Sequence, residues 1–303
     1  MRPFGVLVWV TLLAVVLAAG CGQDSLEGQR SGTDESSSAS QPRQETAAGG
    51  ETTGEETTLE AGEEPAFTAA PEMNGGSEGA ADSIREVKFG QQEGYERAVI
   101  GFGSRDAPAS GVPAWSLSSP DGEGYARITF PGVDATSVSD GVFGGSILDN
   151  FYVVRAPDGG LFVDVYATRA FQYRIMELSD PGRLVIDYRP ADVALSYPIP
   201  ARAQKTVLFE PRKGEAITSP LTVNGYSRNF EASNLVRLTD TSGNVLAQST
   251  VTSNDWLDTW GYFETSLEFE AFEGQAMLQV GSESARDGSF EGVEVPVTYG
   301  GGR

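Results

Sequence analysis

Hydrophobic and polar positions divide the chain into three textures. Residues 4–17 are almost continuously apolar, residues 22–83 hold only four large apolar side chains (Leu26, Leu59, Phe67 and Met73), and short alternating runs begin at residue 84. A period of two is that of a strand with one face buried. Alternation is partial over 84–89 and 95–102 and clearer over 125–130, and further strands are expected over 151–155, 161–166, 173–178 and 183–188. Turn chemistry separates these runs: Pro120-Asp121-Gly122, Pro157-Asp158-Gly159-Gly160 and Asp180-Pro181-Gly182. Pro190, Pro198 and Pro200 then interrupt the pattern. A second series follows at 206–209, 221–226, 235–239, 245–251, 263–269, 276–280 and 293–299, with a hairpin expected around Asp240-Thr241-Ser242-Gly243-Asn244. No stretch of ten residues carries a helical stripe. The pattern predicts an all-β fold of two β-sandwich domains, over 84–190 and 205–299, joined by a linker over 191–204.

Composition adds the parts that the pattern leaves blank. Residues 22–83 carry 14 acidic side chains against two arginines, Arg30 and Arg43. Such a segment lacks the apolar surface to offset the entropy of ordering it, so a disordered acidic tether is expected over 21–83. A flexible chain of that length spans about 45 Å. The apolar run at 4–17, behind Met1-Arg2, is shorter than the roughly 20 residues of a membrane span and suits a signal peptide over 1–20.

Across the 303 residues, 43 acidic side chains face 21 basic ones, a formal charge of −22. That charge excludes nucleic acid as a partner. Histidine is absent and Cys21 is the sole cysteine, which removes the usual general base, the usual nucleophile pairs and the commonest zinc ligand. No catalytic residue, metal or cofactor is therefore expected. A carboxylate-based glycan hydrolase is a weak third reading, because no spacing singles out a pair among the acidic residues.

Stretches of the chain resemble three known families. Leu17-Ala18-Ala19-Gly20-Cys21 resembles the lipobox of bacterial lipoproteins, which implies cleavage before Cys21 and acylation of its thiol. The resemblance implies an extracytoplasmic protein, anchored to the cell membrane by its lipid, or to an outer membrane in a two-membrane cell. Asp180-Pro181-Gly182-Arg183-Leu184-Val185-Ile186-Asp187-Tyr188-Arg189-Pro190 resembles the closing strand of AMIN and AMIN-like domains. Tyr95-Glu96-Arg97-Ala98-Val99-Ile100-Gly101-Phe102 is similar to that family's early strand with its arginine. The implication is a noncatalytic module that binds cell-envelope material, peptidoglycan included. Ile217-Thr218-Ser219-Pro220-Leu221-Thr222-Val223-Asn224-Gly225-Tyr226, Asn229-Phe230-Glu231 and Gly261-Tyr262-Phe263 resemble the immunoglobulin-like domain of bacterial spore germination proteins. That resemblance implies architecture rather than a ligand.

These readings converge on a noncatalytic lipid-anchored envelope protein whose first module binds peptidoglycan, another wall glycan or an associated partner. The alternative is a protein–protein assembly module in sporulation, germination or another envelope complex. Trp256, Trp260 and Tyr262, beside Asp255 and Asp258, are candidate sugar-stacking residues, and Trp115 in an expected loop is a fourth. Aromatics at period two equally suit a sandwich core. Asp240 to Asn244 carries oxygen ligands but lacks the length and closing Glu of a calcium loop, so a hairpin turn is the reading adopted.

Overall fold

The computed structural model describes residues 64–104, 107–119 and 123–300. The expected signal peptide, Cys21, and the tether up to residue 63 lie outside the described residues. So does the Pro120-Asp121-Gly122 turn.

All regular elements among the described residues are strands, apart from one three-residue 3-10 turn at Phe230–Ala232. The first module runs through β1 (Glu72–Gly75), β2 (Ser83–Gln92), β3 (Tyr95–Ser104), β4 (Ala107–Pro108), β5 (Trp115–Ser118) and β6 (Tyr125–Phe130). It continues with β7 (Ala135–Thr136), β8 (Asp140–Val142), β9 (Leu148–Arg155), β10 (Leu161–Ala167), β11 (Phe171–Leu178) and β12 (Arg183–Pro190). The second module holds β13 (Ala201–Arg202), β14 (Thr206–Glu210), β15 (Ala216–Ile217), β16 (Leu221–Ser227) and β17 (Ser233–Asp240). It closes with β18 (Val245–Thr252), β19 (Trp260–Leu267), β20 (Gln275–Glu283) and β21 (Phe290–Tyr299).

Every long strand coincides with an alternating run in the sequence. In β12, Leu184 and Ile186 enter the first core while Asp187 turns to the opposite face. In β16, Gly225 lies opposite a register shift in β14, where a Cβ would collide with the Val207 carbonyl. The Asp240 turn closes the β17–β18 hairpin, and the Asp240 carboxylate accepts Ser242 N and Asn244 N, each at 2.8 Å.

The sheets do not divide as the two series of strands do. A six-stranded sheet, β11-β12-β3-β2-β7 with β4 on β3, belongs to the first module, and a five-stranded sheet, β15-β21-β20-β17-β18, to the second. The third sheet has ten strands and crosses both modules: β1-β5-β6-β10-β9-β19-β16-β14-β13, with β8 on β9. The junction is a short parallel pairing in which Trp260 faces Val154 and Gly261 faces Arg155.

Alternation along the shared sheet feeds three cores. Leu161, Val163 and Val165 of β10 join the first, and Val223 and Phe263 the second. The opposite faces of the two halves meet in a third: Tyr125, Tyr152, Phe162 and Tyr166 from one module, Val207, Tyr226 and Trp260 from the other. Tyr152 and Trp260 pack edge to face with centroids 4.7 Å apart, and the Tyr166 and Tyr226 hydroxyls are 3.0 Å apart. Each buried aromatic of this kind contributes roughly 1.5–3 kcal/mol.

Within this core Arg127 is bidentate on Asp164, at 2.8 Å for both bonds, and its guanidinium lies 4.0 Å from the Phe162 ring and 4.9 Å from Phe209. Burial alone would lower the Arg127 pKa; the Asp164 carboxylate outweighs it and keeps the cation fully charged. Polar clamps rim the core. Arg202 reaches Asp149 at 2.8 Å and also Asn150, Arg212 reaches Glu123 at 2.6 Å, and Arg228 reaches Ser139 Oγ at 2.7 Å. An apolar centre with a polar rim is the anatomy of a protein interface. Both modules accordingly fall within one compact unit.

Two expected boundaries shift. Residues 64–83, assigned to the tether on composition, are part of the fold: β1 pairs with β5, and Met73 packs on the first core. The expected linker 191–204 contributes β13, which extends the shared sheet.

Candidate functional site

The four sequence-selected aromatics do not form one platform. Trp115 opens β5 rather than a loop and is 5% exposed; its Nε1 donates to Glu177 Oε1 at 2.8 Å, the same oxygen that accepts Gly76 N. Trp260 lies in the third core, 3% exposed, with Nε1 donating to Asp140 at 3.2 Å. Tyr262 shares that face of β19 and donates its hydroxyl to Glu264 at 2.7 Å. Burial, and then the Glu264 carboxylate, push the Tyr262 hydroxyl up to about 12. Only Trp256 lies in a loop with a ring partly open to solvent, edge to face on Phe230 with centroids 5.2 Å apart. Asp255 fixes that loop by accepting Trp256 N, Leu257 N and the Thr259 hydroxyl.

A denser polar constellation lies on the outer face of the six-stranded sheet. Alternation turns Tyr95 and Arg97 of β3, Gln172 and Arg174 of β11, and Asp187 and Arg189 of β12 outward together. Arg97 faces Asp187 in the strand register, and so does Arg174. Asp187 is fully buried and accepts Arg97 through two bonds, at 2.6 and 2.9 Å, and Arg174 Nε at 2.9 Å. Its hydrogen bond raises the Arg97 pKa. For Arg174, burial works to lower the pKa but is outweighed by Asp187 and Glu64.

The segment from Glu64 to Ala70 lies across this face. Thr68 exchanges both backbone hydrogen bonds with Tyr173 on the edge of β11, at 2.8 and 2.9 Å, and the Tyr173 hydroxyl donates to Ala70 O at 2.7 Å. The Phe67 ring lies 4.8 Å from the Arg174 guanidinium, 4.6 Å from that of Arg189 and 5.9 Å from the Tyr95 ring. Glu64 reaches Arg174 at 2.6 Å with its own side chain 62% exposed. With only its Glu64 end open to solvent the pair contributes about 1 kcal/mol, and each cation–π contact about 0.5–1 kcal/mol. The segment is therefore a strap held far more weakly than the strands beneath it.

Beside the strap a groove of about 770 Å³ opens between β11 and the chain that follows β12. Ala69, Phe171, Gln172, Arg189, Asp192 and Ser196 are among its walls. Planar apolar surface, an amide, a guanidinium and a carboxylate around one concavity can hold a polyhydroxylated or amide-bearing ligand by stacking and hydrogen bonds. Arg189 presents its Nε and Nη2 to Gln172 Oε1, which orients both side chains at the groove wall.

Sequence reasoning missed the strap and the groove. The available signal was Phe67, an isolated large apolar residue in an otherwise polar stretch, three positions after Glu64. Comparison with curated proteins and with solved structures yields no match. Residues 206–289 match the immunoglobulin-like domain of bacterial spore germination.

Proposed function

We propose that this protein is a noncatalytic, lipid-anchored component of a bacterial cell envelope that holds wall glycan or a wall-associated partner through its first module. The observation that carries the reading is the match of residues 206–289 to a spore-germination domain, fused through a continuous sheet to a module with an open polar groove. The AMIN-like stretches support a wall ligand: Arg189, near the end of the closing-strand match, is a wall of that groove, and Arg97 of the early strand pairs with Asp187 on the same sheet face. Acylation of Cys21 would place the module on an outward-facing membrane surface, with the tether giving it reach.

Retention on purified peptidoglycan sacculi tests the glycan reading. The full chain should be retained well above a peptide of the tether alone, and Gln172→Ala with Asp192→Ala should reduce retention at least fivefold. No retention above the tether sinks it. Labelled palmitate incorporated by the native chain and lost in Cys21→Ser tests the anchor.

A second reading, protein–protein assembly in germination or another envelope complex, draws on the second module. Phe230 and Leu257 are 68% and 63% exposed and flank Trp256, an apolar knuckle on a loop fixed by Asp255. Crosslinking in cells should then recover one protein partner even after the wall has been digested.

A further inference from the structure

We infer that the edge of β11, with the arginine face above it, is a docking site for extended peptides carrying a carboxylate three residues before an aromatic ring, and that Glu64–Thr68 occupies it in cis. The strap shows the recognition at work. Backbone pairing of Thr68 with Tyr173 adds one rung to the sheet edge, Glu64 answers Arg174, and Phe67 lies over Arg174 and Arg189. Addition of a strand at an edge, with alternate side chains read by pockets, is a recurrent mode of peptide capture.

Charge favours an acidic guest. In a chain of net charge −22, this face gathers Arg97, Arg174 and Arg189 around one sheet carboxylate, Asp187, and the strap supplies the second. Displacing the strap uncovers that imbalance together with the Tyr173 backbone. Glu64–Thr68 also ends before β1 begins at Glu72, outside the β1–β5 pairing. An attached strap competes at an effective concentration on the order of millimolar, which reserves the site for a guest that is tighter or itself multivalent. This inference names a different ligand class from the wall-glycan reading, at a sheet edge that shares Tyr173 and Arg189 with the groove.

The test uses the full chain and a fluorescent ten-residue peptide copying residues 62–71. Glu64→Ala with Phe67→Ala empties the site; both side chains are on the surface strap, and circular dichroism checks the fold. The double variant should bind the peptide at least tenfold more tightly than the unmodified chain. Replacing the Glu or the Phe of the peptide by Ala, or adding Arg189→Gln to the protein, should each weaken binding at least fivefold. In the unmodified chain, excess peptide should speed hydrogen exchange at the Thr68 amide while the Tyr173 amide stays protected by the incoming strand. A folded double variant that binds no peptide, or binds the Ala-substituted peptides equally well, overturns the proposal. So does a Thr68 amide whose exchange excess peptide leaves unchanged, or a double variant that gains affinity for sacculi but none for peptide.

Discussion

At the scale of single residues, two neighbours in β12 should respond in opposite ways to substitution. Asp187 is the shared partner of Arg97 and Arg174, and Arg174 is itself 8% exposed. Asp187→Ala leaves two cations without that partner, and breaking a buried pair costs about 3–5 kcal/mol. Next to it, the Tyr188 hydroxyl is fully buried and finds no hydrogen-bond partner among the described residues. Tyr188→Phe removes an unpaid desolvation penalty and should stabilise by about 1 kcal/mol. Urea titration of the two variants should show the midpoint falling in the first and rising in the second.

Glu96 supplies the acid sensitivity. It is 2% exposed, and its burial alone would raise the carboxyl pKa. Leu148 N, the Ser146 hydroxyl, Ser146 N and Ile147 N outweigh that and hold it below its ordinary 4.5. A folded pKa below the unfolded one contributes stability that is fully present above the unfolded value and lost as pH falls through the folded value. Glu96→Gln should therefore lower stability at pH 7 and flatten its decline below about pH 4.5. Equal slopes for the variant and the native chain between pH 5 and 3 would rule this out.

At the scale of elements, legibility followed the contrast in side-chain chemistry between the two faces of a strand, even in β10, which is buried on both. β10, β16 and β20 have polar or aromatic side chains on one face and aliphatic ones on the other, so a period of two located them. β4, β7, β13 and β15 have two residues each, too few to carry a period. β1 was hidden by its composition, because Glu72, Asn74 and Gly75 read as tether while Met73 alone is driven into the core. The stretches 95–102 and 180–190 were legible as two strands, but their meeting as Arg97 and Asp187 depends on strand order, which local pattern does not encode. The period-two spacing of Trp260 and Tyr262 suits a core strand more than a platform, and the first module's side chains over their face, Tyr152 among them, are what local pattern could not supply.

The junction between β9 and β19 depends on Gly261. A Cβ there would collide with the Asp255 backbone, so Gly261→Ala should push away the loop that carries Trp256. Overpacking of this kind costs about 1–3 kcal/mol. The expected readouts are a lower thermal midpoint and a rise in amide exchange that is larger at 254–259 than at β2 and β12.

At the scale of the whole molecule, three cores share one sheet, so the modules should unfold together. A single transition is expected by circular dichroism and by tryptophan fluorescence, with coincident midpoints. Tyr226→Ala, at the centre of the third core, should cost about 3–5 kcal/mol and lower the protection of both modules in hydrogen exchange. Two separated transitions in the native chain would show that the third core does not couple them.

The ten-stranded sheet also sets how this chain can be recombined. A gene cut near residue 205 falls just before the germination-domain match but passes through the sheet. The N-terminal fragment would then present Tyr125, Tyr152, Phe162 and Tyr166 to water around a buried arginine–aspartate pair, next to the unpaired edge of β9. A greasy face beside an open strand edge is a recipe for precipitation. Shuffled onto another partner, the germination-type domain would bring the same liability on Val207, Tyr226 and Trp260. An exchange that keeps both modules soluble therefore has to carry residues 64–300 as one block.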